Sequence, residues 1–192
     1  MSYDPERHHR RSIRLRGYDY AQAGYYFVTM VAHQRACLFG EIADGQMRVS
    51  ACGEIVQEEW TRSPQVRAEI DLDVFMVMPN HLHGIVVIRD DVGAHGRAPL
   101  PPGGGPRRAP RSLGSLVAGF KSAVTKRVNE VRGTPRLPVW QRSYYERVIR
   151  NERELEAIRQ YIVDNPTRWA GDAENPANVG AHGRAPLQDW PP

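Results

Sequence analysis

Apolar positions along the chain switch between two periods. Tyr25 to Ala32 is an unbroken apolar and β-branched run and predicts a first strand. Leu38 to Val49 reads as a short hairpin around Asp44-Gly45, a strong turn signal. Glu54 to Trp60 belongs to a helix with Ile55 and Trp60 on its apolar side. Leu72–Met78 and His81–Ile88 follow as adjacent strands, separated by the turn residues Pro79-Asn80. Ser112 to Val131 carries Leu113, Leu116, Val117, Phe120, Val124 and Val128 near helical spacing. Val139 to Ile149 has alternating, β-branched character and predicts a strand or extended lead-in. From Glu152 to Asn165, Leu155, Ile158 and Ile162 form a helical stripe, with Asn151 as N-cap and Pro166 as the stop. Strands interspersed with helices, joined partly by hairpins, predict an antiparallel α+β sandwich.

Chemistry enters at the second of the paired strands. His81 and His83 stand two apart, so both imidazoles leave the same face, about 7 Å apart along the chain. Burying two imidazoles costs free energy unless their polar atoms are satisfied. One divalent metal would satisfy both, and so would hydrogen bonds to backbone. On the last helix Tyr161 and Asn165 are i and i+4, hence neighbours on one face beside the apolar stripe. A phenol next to an amide oxygen suits a nucleophile and a metal ligand; it equally suits an aromatic at the core edge with its hydroxyl in water. Tyr144 and Tyr145 are rival nucleophiles, but they lack a helical amide partner.

Two segments break the pattern. Residues 90–111 are rich in Gly and Pro around PPGGGP and predict a mobile loop, and the chain from about Ala170 onward has similar character. VGAHGRAPL occurs in both, at Val92–Leu100 and Val179–Leu187. Two short copies cannot build a solenoid. Its GAHGRAPL part can be encoded by GGGGCGCACGGCCGTGCGCCCC plus the rest of the Leu codon, and that string is a perfect palindrome that would fold as a hairpin in single-stranded DNA. Insertion of a hairpin-forming element twice into this gene and ordinary duplication of a linker both account for the repeat.

Composition narrows the partners. The chain has 192 residues, a net charge of +4, a pI near 9.3 and two cysteines. One principal domain is expected, with neither a disulfide scaffold nor a zinc finger. The absence of an apolar run long enough to cross a membrane predicts a cytoplasmic protein with no membrane partner. Basic residues cluster. Arg7, Arg10, Arg11, Arg14 and Arg16 form an N-terminal arm, and Arg142, Arg147 and Arg150 flank the proposed site. Tyr18, Tyr20, Trp140, Tyr144 and Tyr145 interleave with them. Arginine with aromatics is the composition of single-stranded DNA binding, so Arg10, Arg11, Arg14, Arg16, Arg142 and Arg147 are candidate DNA contacts.

Five stretches together resemble the REP-associated tyrosine transposases, within the HUH single-tyrosine transposase family. They are RRSIRLRGYDY (10–20), GYYFVTMVAHQR (24–35), VFMVMPNHLHGIVVI (74–88), VWQRSYYERVIR (139–150) and YIVDNP (161–166), in the family's order. The resemblance implies a ferredoxin-like core with the histidines on a central strand. It implies Mg²⁺ or Mn²⁺ on His81, His83 and Asn165, and Tyr161 as the nucleophile that forms a 5′-phosphotyrosine. The implied substrate is single-stranded or hairpin DNA of the REP-like palindrome type. Residues 1–23 are then a basic arm, 24–169 the transposase domain and 170–192 a flexible tail. Monomer and homodimer both fit. A catalytically idle hairpin-binding regulator is the alternative, against which the retained His81, His83, Tyr161 and Asn165 set speaks.

If the repeats are translated hairpin DNA, deleting residues 92–100 or 179–187 leaves the protein intact. Loop-closure entropy varies slowly with length, so each deletion should move the melting temperature by no more than ~2 °C. The gene should carry matching palindromes at both sites; loss of activity on deletion would give the repeats a role in the protein.

Overall fold

The structure, a computed structural model, describes residues 17–90 and 111–178. Arg10, Arg11, Arg14 and Arg16 and both copies of the nonapeptide lie outside the described residues. Six strands and three α-helices follow in the order β1 (Gly24–Val31), β2 (Gly40–Ala43), β3 (Gln46–Val49), α1 (Ala51–Val66), β4 (Ile70–Val77), β5 (His81–Ile88), α2 (Leu113–Arg132), β6 (Tyr145–Ile149) and α3 (Glu152–Arg168). Four strands form one antiparallel sheet in the order β4-β5-β1-β6, and β2 and β3 form a separate hairpin. Without that hairpin, the succession β1-α1-β4-β5-α2-β6 with this strand order is the expected ferredoxin-like α+β core. β5 is a central strand, and α3 is an addition to the core.

The two faces of the sheet have separate cores. Tyr26, Val28, Met30, Leu82, Val86 and Ile88 pack with α1 and α2 through Val56, Trp60, Leu116, Phe120 and Val124. Phe27, Ile85 and Ile149 pack with Leu155, Ile158 and Ile162 of α3. A strand covered on both sides reads as a continuous apolar run, which is why β1 and β5 lack alternation. Gly84 reconciles the two layers on β5. A Cβ there would lie 2.6 Å from Trp60 Cζ2, so the indole of α1 lies directly against backbone where any other residue would exclude it.

Capping and ion pairs hold the helices in place. The Ser50 and Ser112 side chains cap α1 and α2, and Asn151 accepts from Glu154 N at 2.9 Å to start α3. Glu154 also accepts from Arg147 Nε at 2.6 Å and from Arg150 N at 2.9 Å, tying α3 to β6. At the other sheet edge, a register shift between Leu72 and Phe75 marks a β-bulge. Asp73 within it accepts from Arg159 Nη2 of α3 at 2.7 Å.

Two expectations are corrected. Pro166 does not stop α3, which runs to Arg168. A proline one turn from the end forfeits a single backbone bond, and Trp169 N still closes the last turn on Pro166 O. The stretch from Val139 is the extended lead-in read from sequence: Trp140 bridges Ala32, Lys121 Nζ donates to the Gln141 and Ser143 carbonyls at 3.0 and 2.9 Å, and the strand proper begins at Tyr145. Residues 170–178, placed by composition in the tail, instead form turns that bury Glu174 and bring Asp172 to the histidines. Among the described residues no helix is long and apolar enough to cross a membrane.

The Gly84 contact gives a direct stability test. Gly84→Ala should lower unfolding free energy by about 1–3 kcal/mol, because Trp60 must leave its slot. Denaturant melts report it, and an unchanged midpoint would show that α1 can shift without cost.

Candidate active site

β5 starts directly after the Pro79-Asn80 turn, and its register against β1 sets the histidines. His81 pairs with Val31 and His83 with Thr29, both on the α3 face of the sheet. Both imidazoles are buried, His81 completely. Their Nε2 atoms stand 3.0 Å apart, with the rings at 68°. Phe27 stacks on His83 at 5.5 Å between centroids, so an apolar wall closes one side.

Asn80 determines the state of His81. Its Nδ2 donates to Arg35 O at 3.0 Å and to Glu174 O at 2.7 Å, which fixes the amide orientation. Its Oδ1 therefore faces His81 Nδ1 at 2.8 Å. An amide oxygen only accepts, so His81 carries its proton on Nδ1 and presents a bare lone pair at Nε2. His83 Nδ1 contacts Thr29 Oγ1 at 2.8 Å, a hydroxyl that can donate or accept. When it accepts, both Nε2 lone pairs point at the same small space.

Three more groups border that space. The Tyr161 hydroxyl is 3.4 Å from His83 Nε2. The Asn165 Oδ1 is buried and has no hydrogen-bond partner among the described residues, although its amide adjoins both Tyr161 and His81. An Asp172 Oδ2 lies 3.9 Å from His81 Nε2. Asp172 is held by Glu174 N donating to its Oδ1 at 2.6 Å, and Arg35 Nε anchors Glu174 at 2.8 Å.

The electrostatics of the site oppose ionisation at every one of its groups. Burial, reinforced for His81 by its neighbour, holds its imidazole well below the ordinary value; burial lowers His83 to about 3. Burial, with the Asp172 charge, pushes the Tyr161 phenol up to about 12, against a smaller opposite effect of Asn165. Burial also raises Asp172, with Glu174 adding to it. Neutral imidazoles are metal ligands as they stand, and a cation would relieve the strain on both acids.

The donor set fits a divalent metal. Two imidazole nitrogens, an unpartnered amide oxygen and a carboxylate converge, and the ligand atoms of His81, His83 and Asp172 lie within 4.8 Å of one another. At a separation of 3.0 Å the two Nε2 atoms are close enough for one cation to contact both imidazoles. Mixed nitrogen and oxygen donors are compatible with a divalent metal.

The sequence-derived residues separate cleanly. His81, His83, Tyr161 and Asn165 come together. Tyr145 pairs with Thr29 and packs edge-on to Phe27 at 6.1 Å, on the same face. Tyr144 packs into the α1–α2 core beneath Lys121. Arg147 is paired with Glu154, whereas Arg142 lines a groove beside α2. Asn80, Thr29, Asp172 and Glu174 are additions. Asn80 reads only as a turn residue in the sequence, and the two acids sit in a segment with tail-like composition.

A protein of Haemophilus influenzae strain Rd, itself described as uncharacterized, is 38% identical over 177 residues, which covers 88% of this chain and 95% of that protein. This chain belongs to that protein's family. No family model matches it. Among solved structures, the REP-associated tyrosine transposase bound to a REP hairpin is similar at a TM-score of 0.52 and 17% identity, over 94% of this chain and 92% of that one. The chain has the fold of a REP-associated tyrosine transposase. A second structure, from Deinococcus radiodurans R1, aligns at 18% identity over 80% of this chain and 97% of that one, with a TM-score of 0.40.

The neutral histidines make a pH prediction for metal-free protein. The unfolded chain protonates them below about 6.5, while the folded chain resists down to about 3 for His83. Stability is therefore flat above pH 6.5 with respect to these groups and falls below it, by roughly 1.4 kcal/mol per pH unit per histidine. Melts of wild type and a His83→Gln variant between pH 7.5 and 5 measure the difference; identical slopes would show that His83 takes up a proton in the fold.

Proposed function

We propose that this protein is an HUH single-tyrosine DNA nuclease and strand transferase acting on hairpin-bearing single-stranded DNA. The observation that carries the proposal is the Tyr161 hydroxyl 3.4 Å from His83 Nε2, beside a histidine pair 3.0 Å apart and the unpartnered Asn165 oxygen. The fold shared with a transposase that holds a REP hairpin supports hairpin DNA as the substrate.

A phosphodiester resists nucleophiles because it is anionic. His81, His83 and Asn165, with Asp172 alongside, would hold a divalent cation, Mg²⁺ or Mn²⁺, which would supply positive charge at the scissile phosphate. The protein's own groups do the rest. Asn80 and Thr29 orient the imidazoles. Packing on Phe27, with ring centroids 6.1 Å apart at 83°, fixes the Tyr161 ring. The Tyr161 oxygen forms a bond to phosphorus, the P–O3′ bond breaks, and loss of the phenolic proton is balanced by protonation of the leaving 3′ oxygen. The 5′-phosphotyrosine keeps the ester energy, so attack by another 3′-hydroxyl rejoins strands and regenerates the phenol. The raised phenol value places the demand of stabilising the attacking oxygen on the positive charge that a bound cation would supply.

Labelled hairpin DNA with single-stranded flanks should form a covalent adduct that survives denaturing electrophoresis. Tyr161→Phe, which keeps the ring, should reduce the adduct by on the order of a thousandfold or more, while Tyr144→Phe and Tyr145→Phe retain it. EDTA, His81→Ala or His83→Ala should abolish it. An adduct persisting in Tyr161→Phe would reassign the nucleophile; hairpin binding by wild type with no adduct would favour the catalytically idle regulator.

A further inference from the structure

On the sheet face opposite the candidate site, a groove of about 860 Å³ runs between the C-terminal half of α2 and residues 133–142. The loop is pinned to α2 at both ends. Asn129 Nδ2 donates to Leu137 O at 2.9 Å, and Lys121 Nζ donates to Gln141 O and Ser143 O. Between the pins the groove stays open. Trp140 and Val139 form its floor, and the buried Trp140 Nε1 has no hydrogen-bond partner among the described residues.

Its rim is basic. Lys126, Arg136 and Arg142 line it against one acid, Glu130. Among the described residues Arg136 and Arg142 have no ion-pair partner, whereas most other described arginines are engaged. Arg136 sits at φ 69°, in the left-handed region where glycine would rest without strain. The loop thus holds a cation at a position where backbone conformation favours none. Beside it Leu137 is 49% exposed, an apolar surface next to the charges.

Position links the groove to the chemistry. Trp140 bridges Ala32, just past the end of β1, while His81 pairs with Val31 on the other edge of that strand. Groove and histidines therefore open at the same end of the sheet, on opposite faces. We propose that this groove binds single-stranded DNA, pairing phosphates with Arg136 and Arg142 and laying bases against the exposed Pro135 and Pro138 that line it. The proposal rests on the DNA reading above.

The test is fluorescence anisotropy with a labelled oligonucleotide of about a dozen nucleotides in EDTA, so that binding is read without cleavage. Arg136→Gly removes the charge and relieves the backbone, so its melting temperature should hold or rise. Combined with Arg142→Gln it should weaken binding roughly tenfold at low salt and reduce the slope of log affinity against log salt by roughly 1.4, the share of two phosphate contacts. Arg136→Lys should retain most of the affinity. Unchanged affinity and slope in the double variant, or no binding by wild type, overturns the groove. Weakened binding in the double variant with no wild-type adduct leaves the groove standing and removes the nuclease reading; a normal adduct with unaltered binding does the reverse.

Discussion

Asn80 is fully buried in the turn between β4 and β5, and its one amide serves three segments of chain. The two amide hydrogens go to backbone carbonyls of Arg35 and Glu174, from parts of the sequence far apart, and the oxygen takes the His81 proton. A buried polar group of this kind is costly unless every bond is made. Satisfying it fixes the turn after β1, the segment after α3 and the tautomer of one histidine at once. The site is assembled around that amide more than around the imidazoles themselves.

The same economy governs charge. Two acids and two bases face one another in a space that burial has made hostile to ions, and none of them gains a full counter-charge from its neighbours. Arg35 is spent on Glu174, and Arg159 on Asp73, so the fold's nearby cations are employed in docking rather than in neutralising the centre. An arrangement that withholds internal compensation is open to an external ion, and the orphaned Asn165 oxygen points to the same conclusion through hydrogen bonding rather than charge.

Much of this was legible in sequence because it depends on periodicity. The apolar runs of β1 and β5, the Asp44-Gly45 hairpin, the long stripe of α2 and the i, i+4 relation of Tyr161 to Asn165 are local, and each appears where local rules place it. What was not legible depends on return of the chain. Asp172 and Glu174 follow a helix and precede Gly/Pro-rich sequence, so nothing local distinguishes them from tail; only the Arg35 and Asn80 contacts do. Pro166 misled because a proline's effect depends on how many backbone bonds remain after it.

β5 carries two unrelated duties on one backbone. Its α3 side presents the imidazoles; its other side presents Leu82, the Gly84 notch and Val86 to Trp60 and the helix layer. Because alternate side chains never meet, selection acts on the two sets independently. A descendant could discard the histidines one by one and still inherit the entire helix-side core, so within such a lineage fold is the slow-changing character and chemistry the quickly lost one.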